Sequence, residues 1–181
     1  KRQEEKGIHF LIEAYKELKT DKKLVIAGAA SDTDGYVKML KEMAGNDPNI
    51  IFTGFVSGKL LEEIYSNAYV YVLPSKLEGM PLSLLEAMSY GNCVIGSDIA
   101  EIADVVEDKA ILFKKANVED LKEKLQMVCD DVELVEKYKS EASGYICGKY
   151  NWEDVVSRTL RVYQKGKKIN ENLNDKQVSI S

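Results

Sequence analysis

Short apolar runs alternate along this chain with longer stretches in which apolar residues return every three or four positions. The two rhythms are those of buried strands and amphipathic helices. Ile8, Leu11, Ile12, Tyr15 and Leu18 predict a helix over residues 8–19, and the run at 24–28 predicts a strand. Tyr36, Leu40 and Met43 mark a helix over about 34–44. Asn46-Asp47-Pro48-Asn49 is a turn, and 50–54 is a second strand. Leu60, Leu61, Ile64 and Tyr65 give a helix over 59–67, and Val70–Leu73 a third strand. Cys93–Gly96 and Ala110–Phe113 read as further strands. Asn117 can cap a helix over 118–129, followed by one over 132–148 and a last one from Asn151 to Gln164. Strands alternating with helices at this spacing mean βαβ units: an α/β fold with a parallel sheet, right-handed crossovers and helices on both faces.

The stretch Pro74–Gly91 carries the most chemistry. Pro81 suits the first position of a helix, Leu82, Leu85 and Met88 mark an apolar face, and Gly91 is a stop. Glu78 lies in the loop ahead of that helix and Glu86 inside it, five residues beyond Pro81, or about 7 Å along the axis. Gly79 allows close backbone approach. The N–H groups of Met80, Leu82 and Ser83 would surround the positive end of the helix, an anion seat with an acid on either side. Read blandly, these are a solvated loop acid and a helix-surface acid.

The order of the surrounding motifs favours the functional reading. The string EGMPLSLLEAMSYG resembles the E-x7-E signature of retaining glycosyltransferases of the group 1 (GT4-type) family, in the C-terminal half of a GT-B fold, a Rossmann-like parallel sheet. Lys6-Gly7-Ile8 resembles the family's R-x4-K-G opening, Leu24–Gly28 its second strand and Ile51–Val56 its third. Ser66–Tyr69 leads into the strand before the signature, and Trp152 resembles the start of a closing helix. The resemblance covers residues 1–164, and implies a strand ending in Gly-Arg ahead of them; a polar tail, 165–181, is expected to be disordered.

The resemblance implies roles. Glu78 contacts donor-sugar hydroxyls, and Glu86 contacts the ribose hydroxyls. Lys6 and Arg2 neutralise the diphosphate, although Lys1 occupies the register in which the family places its arginine. Gly79, Met80, Pro81 and Leu82 supply backbone, and Val56, Ser57 and Gly58 meet the base. It implies a nucleotide-sugar donor, UDP-sugar first and GDP- or ADP-sugar as alternatives, and a glycan or lipid-linked acceptor. It also implies an N-terminal GT-B domain without which this half is inactive, and peripheral membrane association through that domain. Transfer would retain anomeric configuration, the acceptor attacking from the face of departure and the leaving phosphate taking its proton. A non-catalytic nucleotide-binding module, a UDP-sugar 2-epimerase-like domain and a flavodoxin-like regulatory domain are the alternatives.

Composition narrows the picture further. A net charge of −5 gives no basic surface for nucleic acid. Cys93, Cys129 and Cys147 have no C-x-x-C spacing and suit a reduced, cytoplasmic setting. Asp32-Thr33-Asp34 spells D-x-D but opens a helix, where Asp serves as a cap, so no metal or other cofactor is expected. Gly28 and Gly35 form neither a dinucleotide fingerprint nor a phosphate loop. Tyr69 and Tyr71 flank a buried strand and read as core, Trp152 and Tyr163 as packing residues, and His9, early in the first helix, as a surface or half-buried residue.

Overall fold

A computed structural model describes residues 4–28, 35–151 and 157 of the chain. The expectations for Lys1, Arg2, the D-x-D loop, Trp152, Tyr163 and the helix and tail beyond Asn151 lie outside the described residues. The chain divides into two compact units, Lys1–Ile146 and Cys147–Ser181. In the second, the Lys149 ammonium stands 5.7 Å from the Tyr150 ring centroid.

A short 3-10 turn, Glu4–Lys6, precedes α1 (Ile8–Lys16). There follow β1 (Leu24–Ala27), α2 (Gly35–Ala44), β2 (Ile50–Gly54), α3 (Lys59–Asn67), β3 (Val70–Leu73), α4 (Leu82–Ser89) and β4 (Cys93–Ser97). The series ends with α5 (Ala100–Val106), β5 (Ile111–Phe113), α6 (Val118–Asp130) and α7 (Val132–Lys149). Among the described residues all strand pairing is parallel, but it falls into two sheets, β1–β2 and β3–β4–β5.

β4 explains how the second sheet is held. Every residue of it is buried, and a strand buried on both faces must carry apolar or small side chains at both parities. Cys93 and Ile95 face one core, shared with Leu11 and Ala14 of α1, Phe113 of β5, Leu121, Leu125 and Val128 of α6, and Val135 of α7. Gly96 faces the other side so closely that a Cβ there would lie 2.7 Å from the Ile102 side chain of α5. The expected cover of helices on both faces is thus realised at β4. The β1–β2 pair differs. Leu24, Ile26, Ile50 and Phe52 pack with α1 and α2 around Ile12 and Leu40, whereas Val25 and Ile51, partners in register, are 44 % and 38 % exposed.

Three local expectations need correction. α1 stops at Lys16, not residue 19, because the chain tightens there: the Leu18 amide donates to Tyr15 O, an i→i+3 bond that lets Leu18 turn into the core. α5 was not foreseen; Ile99, Ile102, Val105 and Val106 are all buried, but seven residues give too few turns for the period to stand out. Leu60 is 54 % exposed, so the inward face of α3 is Leu61, Ile64 and Tyr65. Asn117 caps α6 as expected, its Oδ1 accepting from Asp120 N–H at 3.0 Å.

The start of the chain is anchored against the end of β3. The Lys76 amide donates to Glu5 O at 2.6 Å. Gly7 caps α1 with φ 68°, and a Cβ on it would collide with the Pro74 carbonyl oxygen. Only glycine allows this approach. At the start of α1, the Tyr36 hydroxyl oxygen accepts from the His9 backbone N–H at 3.3 Å and lies 2.8 Å from His9 Nδ1. A hydroxyl has one proton and two lone pairs, so toward Nδ1 it donates or accepts according to the imidazole tautomer.

Two outcomes follow. Gly7→Ala is expected to lower unfolding free energy by roughly 2–4 kcal/mol in urea titrations, from the left-handed backbone and the contact with Pro74 together. His9 is held below its ordinary pKa of 6.5, first by burial and then by the positive charge of Lys76, with Glu13 and Glu4 opposing. The unfolded chain therefore binds the extra proton first as pH falls. The stability that neutral His9 contributes is full above 6.5 and is lost as pH drops toward its lower folded value. Stability measured from pH 7.5 down to about 5 should fall more steeply for the wild type than for His9→Gln.

Candidate functional site

The contacts of residues 5–7 with Pro74 and Lys76 carry Lys6 to the loop between β3 and α4. Lys6 Nζ donates to both carboxylate oxygens of Glu78, at 2.8 and 3.0 Å, across 72 residues of sequence. The Glu78 side chain is only 8 % exposed and that of Lys6 53 %. Ser75 Oγ donates to the same carboxylate, at 2.6 Å from Oε1. Ser75 is itself buried, and its carbonyl accepts from the Ser97 hydroxyl at the end of β4. Glu78 is therefore held by an ammonium and a hydroxyl that are both anchored to the ends of strands. Lys6 has three N–H donors and uses two of them here; the third meets no acceptor among the described residues.

The start of α4 differs from the sequence expectation in a way that matters. Pro81 caps the helix instead of opening it, at φ −78° and ψ 66°. These angles are those of an inverse γ-turn, and the Leu82 amide closes that turn on Met80 O at 2.9 Å. Leu82 N–H is thus not free, contrary to expectation. The amides of Met80 and Ser83 have no hydrogen-bond partner among the described residues. The apolar face of α4 is also rotated: Leu84, Ala87 and Met88 are buried, while Leu82 is 56 % exposed. Starting at Leu82, the positions i+2, i+5 and i+6 are the ones turned toward the sheet. Gly91 ends the unit as expected, at φ 75°, with its amide on Met88 O.

Glu86 stands on the exposed side of α4. Tyr65 O–H, from α3, donates to it at 3.1 Å from Oε2, and lies 3.3 Å from Ser83 O. Tyr71 O–H, from β3, donates to Ser83 Oγ at 2.8 Å. Burial pushes the Tyr71 hydroxyl up to about 12; its hydrogen bond to Ser83 opposes this, and the charges of Glu78 and Glu86 both add to it. One tyrosine thus feels the charge of both acids. Tyr71 reads as core in sequence but has its hydroxyl at this site. Ser75 and Tyr65 escaped notice because a serine after a strand and a tyrosine on an apolar helix face carry no signal of their own.

Val56, Ser57 and Gly58 form the loop from β2 into α3, with Gly58 as the helix cap. They sit at the carboxyl end of a strand, as Gly79 and Glu78 do. No hydrogen bond joins that loop to Glu78 or Glu86 among the described residues. A separate open hollow of about 580 Å³, beside Lys38, Lys41, Glu42, Gly45 and Asn46, holds none of these groups. Among the described residues no three His, Cys, Asp or Glu side chains converge as metal ligands, and no helix is long and apolar enough to cross a membrane.

Residues 1–145 match the family described as Glycosyl transferases group 1. The chain belongs to the group 1 glycosyltransferases. It is 30 % identical over 164 residues to the uncharacterized glycosyltransferase MJ1607 of Methanocaldococcus jannaschii, covering 88 % of this chain and 42 % of that protein. It is 27 % identical to O-antigen chain mannosyltransferase B of Escherichia coli, again over 88 % and 42 % of the two chains. This group 1 chain therefore spans less than half the length of these curated relatives. It shares its fold with HepE of Anabaena, solved in complex with UDP and glucose, at TM-score 0.82 and 18 % identity over 89 % of this chain and 45 % of that one. The α/β, Rossmann-like fold expected of a GT-B half is met.

Proposed function

We propose that this chain is the donor-binding half of a retaining glycosyltransferase, taking a nucleotide-diphosphate sugar as donor and a glycan or lipid-linked hydroxyl as acceptor. The observation that carries it is the Lys6–Glu78 contact. A carboxylate can accept hydrogen bonds from two neighbouring sugar hydroxyls, and the ammonium beside it has an N–H left for a phosphate oxygen. Held together, the two address the sugar and its leaving group at once. The α4 start adds the Met80 and Ser83 amides, and Glu86 adds a second acid for the ribose diol.

In the reaction proposed, the bond from the anomeric carbon to the phosphate oxygen breaks, and a bond to the acceptor oxygen forms on the same face. The acceptor's proton goes to the departing phosphate. Lys6, with Arg2 or Lys1, offsets the charge that grows on that phosphate, a contribution exerted mainly in the transition state. Glu78 orients the sugar. UDP is the first nucleotide to try, since the similarly folded HepE was solved with it; the mannosyltransferase relative supports a glycan acceptor. We assign residues 1–164 to this half and 165–181 to a tail, with the acceptor side contributed by an N-terminal GT-B domain that also provides any membrane attachment. The three free cysteines suit a cytoplasmic setting.

The test is sugar transfer from labelled UDP-, GDP- and ADP-sugars by the full-length protein, with products separated as glycoside or free epimer. Glu78→Ala and Lys6→Ala are each expected to lower kcat by about 100-fold or more. A glycoside of retained configuration is the expected product. Release of an epimerised nucleotide sugar, or transfer that survives Glu78→Ala unchanged, would refute the reading.

A further inference from the structure

We propose that Tyr65 is a positioning residue for ribose recognition: its hydroxyl fixes the Glu86 carboxylate in the orientation that receives a vicinal diol. This rests on the reading of Glu86 as the ribose-binding acid.

Tyr65 is 8 % exposed, whereas Glu86 lies open on α4. If packing alone were required, a phenylalanine would serve, since burying a hydroxyl costs free energy unless it is bonded. The Tyr65 hydroxyl has one proton and two acceptors in reach, Glu86 Oε2 at 3.1 Å and Ser83 O at 3.3 Å, and the carboxylate is the nearer. A bond to a charged acceptor is also the stronger of the two.

The ring cannot follow the carboxylate about. It stacks on Tyr90 with centroids 5.5 Å apart and planes 16° apart, and it meets Tyr71 at 6.0 Å. Its backbone is pinned as well. The buried Asn92 side-chain Nδ2 donates to Tyr65 O at 3.0 Å and to Ala87 O at 2.9 Å, joining the end of α3 to the end of α4. The hydroxyl is therefore a fixed point against which a flexible, exposed glutamate is set. Glu86 Oε1 accepts nothing from a described residue, and an ionised carboxylate has about four acceptor positions. Tyr65 takes one and leaves the others to a ligand. A side chain ordered before binding loses less freedom when the ligand arrives, so the hydroxyl should raise affinity without touching the nucleotide. Burial first, then the neighbouring Tyr71 and the charge of Glu86, hold the Tyr65 hydroxyl well above its ordinary pKa, so it stays a donor at neutral pH.

The experiment is calorimetric titration of the full-length protein with UDP, GDP and ADP and with their 2′,3′-dideoxy forms. The wild type is expected to bind one ribonucleotide at least about tenfold more tightly than its dideoxy form, and Glu86→Ala to erase that preference. Tyr65→Phe, which keeps the ring, is expected to weaken the ribonucleotide about fivefold and leave the dideoxy form unchanged. The double variant should be no weaker than Glu86→Ala. Equal weakening of both forms by Tyr65→Phe would show a general structural role and overturn the proposal, as would a ribose preference that survives Tyr65→Phe intact. A wild type with no ribose preference would overturn the reading of Glu86 itself, and this proposal with it.

Discussion

The structure depends on one close backbone contact. Gly7 comes so near to the Pro74 carbonyl that no side chain fits between them, and next to it the Lys76 amide donates to Glu5 O. This contact joins the start of the chain to the loop after β3. It sets the direction in which α1 leaves, and α1 then packs against both α2 and α6. It also delivers Lys6 to Glu78. The same left-handed glycine thus serves packing and chemistry, and neither can be moved without the other.

From that point the site is assembled at the carboxyl ends of the strands, where parallel α/β sheets bind their ligands. β4 supplies the rigidity. Buried at every residue, it fixes Ser97, whose hydroxyl holds the Ser75 carbonyl, and Ser75 in turn holds Glu78. Rigid support of this kind matters where a carboxylate must meet two hydroxyls at once, since a small displacement forfeits one bond of the pair. Glu86 is supported from a different direction, by α3 through Tyr65. The two acids are held by separate scaffolds.

The diphosphate ligand proposed has to be accommodated beside two acids. Two carboxylates alone would repel it. Lys6 and the amides of the α4 start counter them, and the γ-turn at Pro81 decides which amides are left. By closing on Met80 O it takes the Leu82 amide out of the set, so the anion seat proposed is narrower than a plain helix start would provide.

Much of this could be read from the residues in order. Hydrophobic period fixes the alternation of strands and helices, since burial of one helix stripe or of both strand faces is imposed by solvent and needs no partner to be named. The spacing of Glu78 and Glu86, the Pro81 break and the Lys6-Gly7 pair are equally local, and with the neighbouring strands they carried the family. Tertiary structure alone decided the rest. It divided the strands into two sheets, turned α4 so that Leu84 and Ala87 face inward instead of Leu82, and brought Lys6 across 72 residues to Glu78. It also brought Ser75 to Glu78, Tyr65 to Glu86 and Tyr71 to Ser83. Local propensity sets which residues prefer a helix or strand. Which side chains then meet is set by packing between segments far apart in sequence, and no local pattern encodes that.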